Sequence, residues 1–180
     1  MMDASPEISV VTPVYKKAEC LPELYERLTR SLDEMDRPFE VVTVDDGSTD
    51  GSRDILRDIR GRDKRWRVLL LARNYGQSPA LYAGFGQVRG RYVVMLDADL
   101  QNFPEDIPKL IDKLEEGYDM VSGRRAERED GVLRHLASRL INAVVKRITR
   151  LPLHDYGCSL KAFRRELVDQ MAQFTHRCRY

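Results

Sequence analysis

The stretch Tyr92-Val93-Val94-Met95-Leu96-Asp97-Ala98-Asp99-Leu100-Gln101 is an apolar run that breaks off in two carboxylates spaced i, i+2. Read as a buried strand, it puts residues two apart on the same side. Asp97 and Asp99 then face one point where the chain leaves the core. Like charges held that close raise each other's proton affinity, and a hard divalent cation relieves them. Mg²⁺ or Mn²⁺ takes oxygen ligands and is commonly held by one or two carboxylates together with substrate phosphates. The pair therefore reads as a metal–phosphate site. The plainer reading is a solvated strand end, and the rest of the chain decides between the two.

The same pattern, an apolar strand running into a polar cluster, recurs upstream. Ile8 to Pro13 is a short β-branched strand that Pro13 ends. Leu21, Leu24, Tyr25, Leu28, Leu32 and Met35 have helical spacing. Glu40 to Val44 is a second strand, and Asp50 or Ser48 caps the helix that carries Ile55, Leu56 and Ile59. Arg67 to Leu71 is a third strand. Ser78-Pro79 opens a helix with an N-cap hydroxyl and proline at the first position, running to about Val88 and closed by Gly90. After the fourth strand, Tyr92 to Leu96, Pro104 opens a helix through Leu110, Ile111 and Leu114 that stops near Gly117, and Asp119 to Gly123 is a fifth strand.

Strand and helix thus alternate four times, and near-continuous apolar strands are what a parallel sheet covered on both faces requires. The order predicts an α/β fold: a three-layer α/β/α, Rossmann-like domain with a mostly parallel central sheet. No repeat or low-complexity linker divides residues 1–180, so one domain is expected. In open sheets of this kind ligands sit beyond the carboxyl ends of the strands. Pro13-Val14-Tyr15, Asp45-Asp46-Gly47-Ser48, Arg73-Asn74-Tyr75-Gly76 and Asp97-Ala98-Asp99 all fall there.

Each cluster has a plain reading beside the functional one. A turn and a cap explain Gly47 to Gly51, but not two adjacent acids at a strand end, and a carboxylate there can accept from a nucleobase N–H. Arg73 is either a solvated surface arginine or, with its forked guanidinium, a partner for a diphosphate. Gly76 and Gly84 let backbone approach a ligand or pack a helix on the sheet. Gly84-Phe85-Gly86 lies inside a helix and is no dinucleotide fingerprint. Residues 134–150 form a basic amphipathic helix, suited either to covering the sheet or to lying on anionic lipid. A lone aspartate such as Asp155, before a helix expected from near Ser159, is usually a cap.

Composition narrows the classes. Charged residues make up 33% and hydrophobic ones 42%, with a net charge of +1, which fits a soluble globular chain and carries no nucleic-acid signature. Positive charge is concentrated from Arg124 to Arg150, with eight Lys/Arg against three Asp/Glu. The three cysteines, Cys20, Cys158 and Cys178, are far apart and in no ligand spacing, as expected of a reducing compartment. The first residues have no signal-peptide core, and no run approaches the ~20 apolar residues of a membrane span. The expected location is the cytoplasm or the cytoplasmic face of a membrane, with contact through 134–150. Homo-oligomerisation is left open.

Together these residues resemble family 2 glycosyltransferases of the GT-A fold. The resemblance rests on Val11-Thr12-Pro13-Val14-Tyr15, Val44 to Asp50, Arg73-Asn74-Tyr75-Gly76-Gln77 and Leu96 to Gln101, four motifs in order at strand ends. Within the family the chain is similar to polyprenyl-phosphate glycosyltransferases. These include dolichyl-phosphate mannose synthases and, through Asp155-Tyr156-Gly157-Cys158 to Arg165, bacterial undecaprenyl-phosphate aminoarabinose-type transferases.

The resemblance implies a nucleoside-diphosphate sugar donor, UDP- or GDP-linked, a polyprenyl-phosphate acceptor and inversion at the anomeric carbon. It implies that Pro13, Tyr15, Asp45 and Asp46 line the nucleoside pocket, with Gly76 and Ala98 beside the donor. Asp97, Asp99 and Gln101 would hold Mg²⁺ or Mn²⁺ and the diphosphate, while Arg73 and Arg124 or Arg125 would contact phosphates. Asp155, with Asp99, would be catalytic, and Asp155 would orient acceptor or sugar rather than serve as an essential base. Residues 1–123 would form the donor half and 124–180 the acceptor half, without the C-terminal membrane region of relatives. Lys16-Lys17 departs from the family's usual Asn-Glu.

Other classes fit less well. A nucleotidyltransferase wants a glycine-rich, lysine-bearing loop after the first strand, and a HAD-type phosphatase carries its acids on that strand. A nucleotide-sugar-binding or scaffolding domain without turnover, or a transferase with a saccharide acceptor, is the alternative.

Overall fold

Seven residues, Ile8–Val14, all but Pro13 buried, form β1 at the centre of the sheet. β2 (Phe39–Asp45) and β3 (Trp66–Leu70) follow, separated by α1 (Leu21–Asp33) and α2 (Ser52–Arg62). α3 (Gln77–Phe85) leads to β4 (Tyr92–Met95), and a 3₁₀ turn at Pro104–Asp106 leads into α4 (Ile107–Glu115). β5 (Met120–Ser122), β6 (Lys161–Arg164) and α5 (Arg165–Arg177) complete the order. The computed structural model describes residues 5–123 and 158–177. The basic helix expected at 134–150, Arg124, Arg125 and Asp155 lie outside the described residues.

The six-stranded sheet has the order β3-β2-β1-β4-β6-β5. β1 pairs in parallel with β2 (Ile8 with Phe39, Val14 with Asp45) and with β4 (Ile8 with Tyr92, Val11 with Met95), and β2 with β3. β6 runs antiparallel between β4 and β5. Side chains alternate across the sheet. Ile8 and Val10 pack with Leu24 and Leu28 of α1, Leu56 of α2 and Ile111 of α4, while Val11, Val44 and Val93 pack with Phe85 of α3 and Val168 of α5. Two apolar layers flanking one sheet explain why the strands are apolar on both faces, and the three-layer, mostly parallel architecture is as expected.

Several local expectations are corrected. Pro13 does not end β1. The last bond from β4 is the Leu96 N–H to the Val11 carbonyl. The absent N–H of Pro13, two residues further on the same side, therefore falls beyond β4 and costs the ladder nothing. α3 begins at Gln77 with Gly76 as N-cap, not at Ser78, because Gly76 takes φ 98°, ψ 164°, a conformation open essentially to glycine. Pro79 is tolerated inside the first turn, where the N–H has no helical partner. The helix stops at Phe85, earlier than Val88.

Gly51 rather than Asp50 or Ser48 holds the N-cap position of α2. Ser48 Oγ instead accepts the Lys16 N–H at 2.9 Å and Asp50 accepts those of Ala18 and Ser52, so the two residues tie the loop after β1 to the loop after β2. The helix expected near Ser159 starts at Arg165. The preceding four residues form β6, whose Ala162 and Phe163 are buried and whose Phe163 ring meets Phe85 edge-on at 6.2 Å.

Candidate functional site

β1 lies between β2 and β4, and the chain winds outward from it in both directions. The crevice beyond the carboxyl ends of β1 and β4 is therefore the switch point at which open α/β sheets hold ligands. A cavity of about 290 Å³ opens there. The segment leaving β1 contributes Pro13, Val14, Tyr15 and Lys17; Asp46 enters from the end of β2; Asn74, Gly76, Gln77 and Ala80 come from the start of α3 and the loop before it. Asp97, Ala98 and Asp99 close it from β4. Of the residues expected at the donor site, Pro13, Tyr15, Asp46, Gly76, Asp97, Ala98 and Asp99 meet in this cavity, whereas Asp45, Arg73 and Gln101 do not line it.

The adjacent acids at the end of β2, Asp45 and Asp46, turn to different partners. Asp45 is fully buried, accepting from Arg53 Nε at 2.6 Å and from the Ser48 N–H at 3.2 Å. Its carboxylate closes the turn before α2. Asp46 accepts the Tyr75 N–H on one oxygen and the Gly76 N–H on the other, each at 2.8 Å. One charged side chain thus clamps two consecutive backbone donors and fixes the loop that presents Asn74 and Gln77. Gly47 packs on the same loop: a Cβ there would stand 2.4 Å from the Arg73 carbonyl carbon. Arg73 itself is exposed, its guanidinium 5.0 Å from the Tyr75 ring.

β4 ends at Met95, so strand alternation is not what brings the acidic pair together. Asp97 lies in the segment after the strand and Asp99 in a turn, where its Oδ1 accepts the Gln101 N–H at 3.1 Å and Leu100 takes φ 61°. Burial, reinforced by the neighbouring Asp99 charge, pushes the Asp97 carboxyl above the ordinary carboxylate range. The nearby Ser159 hydroxyl, the hydrogen bond from Gln77 Nε2 at 2.8 Å and the Lys161 charge oppose that rise. Two adjoining carboxylates, one reluctant to ionise, form an oxygen donor set that suits a hard divalent cation. Among the described residues no group of three or more His, Cys, Asp and Glu side chains could hold a metal. Two carboxylates are the usual protein share of a hard-cation site whose shell substrate phosphate and water complete.

Sequence reading missed several members. Lys17 lines the cavity and makes no ion pair among the described residues; in the sequence it showed only as a departure. Gln77 carried no signal beyond its place in a motif. Ser159 and Asn102 meet across 57 positions, a separation that leaves no periodicity to read.

Among solved structures, glucosyl-3-phosphoglycerate synthase from Mycobacterium tuberculosis in complex with phosphoglyceric acid matches with TM-score 0.70 at 22% identity, over 90% of this chain and 58% of that one. A mannosyltransferase from Pyrobaculum calidifontis in complex with GDP-Man and Mn²⁺ matches with TM-score 0.64 at 24% identity, over 93% and 47%. These likenesses define the fold as that of the GT-A glycosyltransferases.

The chain belongs to glycosyl transferase family 2, whose family model matches residues 9–172. It is 49% identical over 165 residues to the undecaprenyl-phosphate 4-deoxy-4-formamido-L-arabinose transferase of Pseudomonas aeruginosa (strain LESB58), covering 91% of this chain and 49% of that protein. It is 45% identical over 168 residues to the transferase of the same name from Proteus mirabilis (strain HI4320), covering 93% and 52%. The chain spans about half the length of these relatives.

Proposed function

We propose that this chain is the catalytic domain of an inverting, divalent-metal-dependent glycosyltransferase. It moves a sugar of the 4-deoxy-4-formamido-arabinose type from a nucleoside diphosphate, UDP or GDP, to undecaprenyl phosphate at the cytoplasmic face of a membrane. The observation that carries this reading is the Asp97–Asp99 pair at the β1/β4 switch point, in a cavity shared with the Lys17 cation. The named activity of relatives at 45–49% identity supports the sugar and lipid classes.

The roles follow from the geometry. Tyr15, 42% exposed at the cavity, offers a ring face for a base to stack on. Lys17 is a cation for the diphosphate. Asp97 and Asp99 are the ligands for Mg²⁺ or Mn²⁺, which when bound neutralises charge building on the leaving diphosphate. The acceptor phosphate monoester has its second pKa near ~6 and is largely ionised at neutral pH. A strong base is then unnecessary, and Asp155 orients acceptor or sugar. No helix among the described residues is long and apolar enough to cross a membrane; residues 134–150 provide the membrane contact.

The test is transfer itself. The chain is incubated with the UDP- or GDP-linked sugar, undecaprenyl phosphate in detergent and Mn²⁺, and the lipid fraction is analysed. Sugar in that fraction with the anomeric configuration opposite to the donor's, abolished by EDTA, is the expected result. Donor binding with no lipid-linked product would leave a binding domain without turnover, and retained configuration would refute inversion.

A further inference from the structure

Lys16, between the cavity-lining Tyr15 and Lys17, adopts φ 52°. That left-handed conformation is unfavourable for most residues other than glycine, and it persists only where the surroundings over-determine it. Here they do. Three consecutive backbone N–H groups are taken by side chains of the loop after β2. The Lys16 N–H donates to Ser48 Oγ at 2.9 Å, that of Lys17 to Ser52 Oγ at 3.0 Å and that of Ala18 to Asp50 Oδ2 at 3.1 Å. Asp50 also orients one of the other acceptors. Its Oδ1 takes the Ser52 hydroxyl proton at 2.6 Å, which leaves the Ser52 oxygen to accept from Lys17. On the other side the Lys17 carbonyl accepts the Cys20 and Leu21 N–H groups at 3.0 and 3.1 Å. The Lys17 backbone is thus held at both of its polar groups, while none of Ser48, Asp50 and Ser52 lines the cavity.

From this frame we infer that Asp50, with Ser48 and Ser52, is a positioning residue for the donor site. It holds the strained Tyr15–Lys17 segment in the shape that delivers the ring and the cation to the nucleotide. The inference rests on the proposed reading of Tyr15 and Lys17 as donor contacts. It adds that nucleotide affinity is set from a neighbouring loop, through the strain at Lys16. Without the frame, Lys16 returns to the ordinary backbone regions and the competent shape is populated only in part. Apparent affinity then falls by that fraction.

The test is calorimetric titration with UDP and with GDP, in saturating Mn²⁺, of wild type, Lys17→Ala, Asp50→Ala, Lys16→Gly and the double variant Lys16→Gly/Asp50→Ala. Ser52 is fully buried, so the exposed Asp50 carries the substitution. The expected result is nucleotide affinity about 5–30-fold weaker in Asp50→Ala, the population cost of an unsupported left-handed residue. Glycine takes that conformation freely, so Asp50→Ala should cost little in the Lys16→Gly background. Comparing the two pairs cancels the lost Lys16 charge. An equal loss in both backgrounds, as a merely structural role would give, overturns the inference. So does wild-type affinity in Asp50→Ala while Lys17→Ala binds more weakly. If Lys17→Ala binds like wild type, or wild type binds neither nucleotide, the donor reading itself has failed and the inference falls with it.

Discussion

Asp46 and Gly47 act as one device. The carboxylate holds the backbone N–H groups of Tyr75 and Gly76, and the glycine lets that loop lie against the turn. Asp46→Asn would turn one acceptor into a donor facing an N–H. We expect a loss of about 1–3 kcal/mol, the usual cost of an unsatisfied buried group, read as a lower urea midpoint with an unchanged slope. Gly47 adopts φ 76°, and a Cβ added there would meet backbone atoms at 2.4–2.9 Å, whereas Gly51 adopts φ 90° with nothing within 4 Å. Both alanine substitutions incur left-handed strain of about 1–2 kcal/mol, but only Gly47→Ala adds overpacking, about 1–3 kcal/mol more. Thermal melts should rank Gly47→Ala well below Gly51→Ala, and equal melts would mean the turn does not press on the Arg73 loop. This distinction between neighbours was not legible in the sequence. Asp45 and Asp46 look alike there, and only the turn's geometry sends one to Arg53 and the other to the cavity.

At the amino ends of the strands, opposite the cavity, Glu40 of β2 is 1% exposed and joins four segments. It accepts from Ser9 Oγ of β1 at 2.8 Å, from Arg67 of β3 at 2.9 Å, and from the Arg89 N–H and Nε ahead of β4 at 2.7 and 2.9 Å. Burial alone would raise its carboxyl, but the bonds from Arg89, Ser9 and Arg67 outweigh it and hold the group below the usual range. A depressed folded value means the stabilisation is present above the unfolded value, near ~4.3, and is lost as pH falls through the folded one. Urea midpoints should drop on acidification below about pH 4, and that portion of the drop should be missing in Glu40→Gln. The variant itself should be less stable by about 1–3 kcal/mol at neutral pH, because a buried amide in place of the carboxylate leaves part of this hydrogen-bond network unsatisfied while the partly exposed arginines stay solvated.

Elements with a period were readable: the helical spacing of Leu21 to Leu32 and the apolar runs of β1, β2 and β4 all stand where expected. β6 was not. Four residues flanked by basic side chains carry no strand signal, and its place between β4 and β5 depends on pairing with strands far away in the chain.

For the molecule as a whole, alternation of strand and helix implied the parallel sheet. The parallel sheet in turn implied where a ligand binds, so the cavity between β1 and β4 was legible as a location before its shape was known. Its wiring was not, because the bonds from Gln77 to Asp97 and from Asn102 to Ser159 are tertiary. If the switch-point crevice is a donor site that works through a cation, nucleotide and metal must stabilise the folded chain together. At a hundred times the dissociation constant, mass action adds about 2.7 kcal/mol, visible as a melting temperature that rises with Mn²⁺ and nucleotide combined more than with either alone. The most direct measurement is calorimetric titration with UDP and with GDP, each with and without Mn²⁺, on wild type and Asp99→Ala. Binding of one nucleotide that requires Mn²⁺ and disappears in Asp99→Ala is the predicted result. Binding that ignores both the metal and the substitution, or no binding of either nucleotide, would contradict a metal-dependent donor site at Asp97 and Asp99.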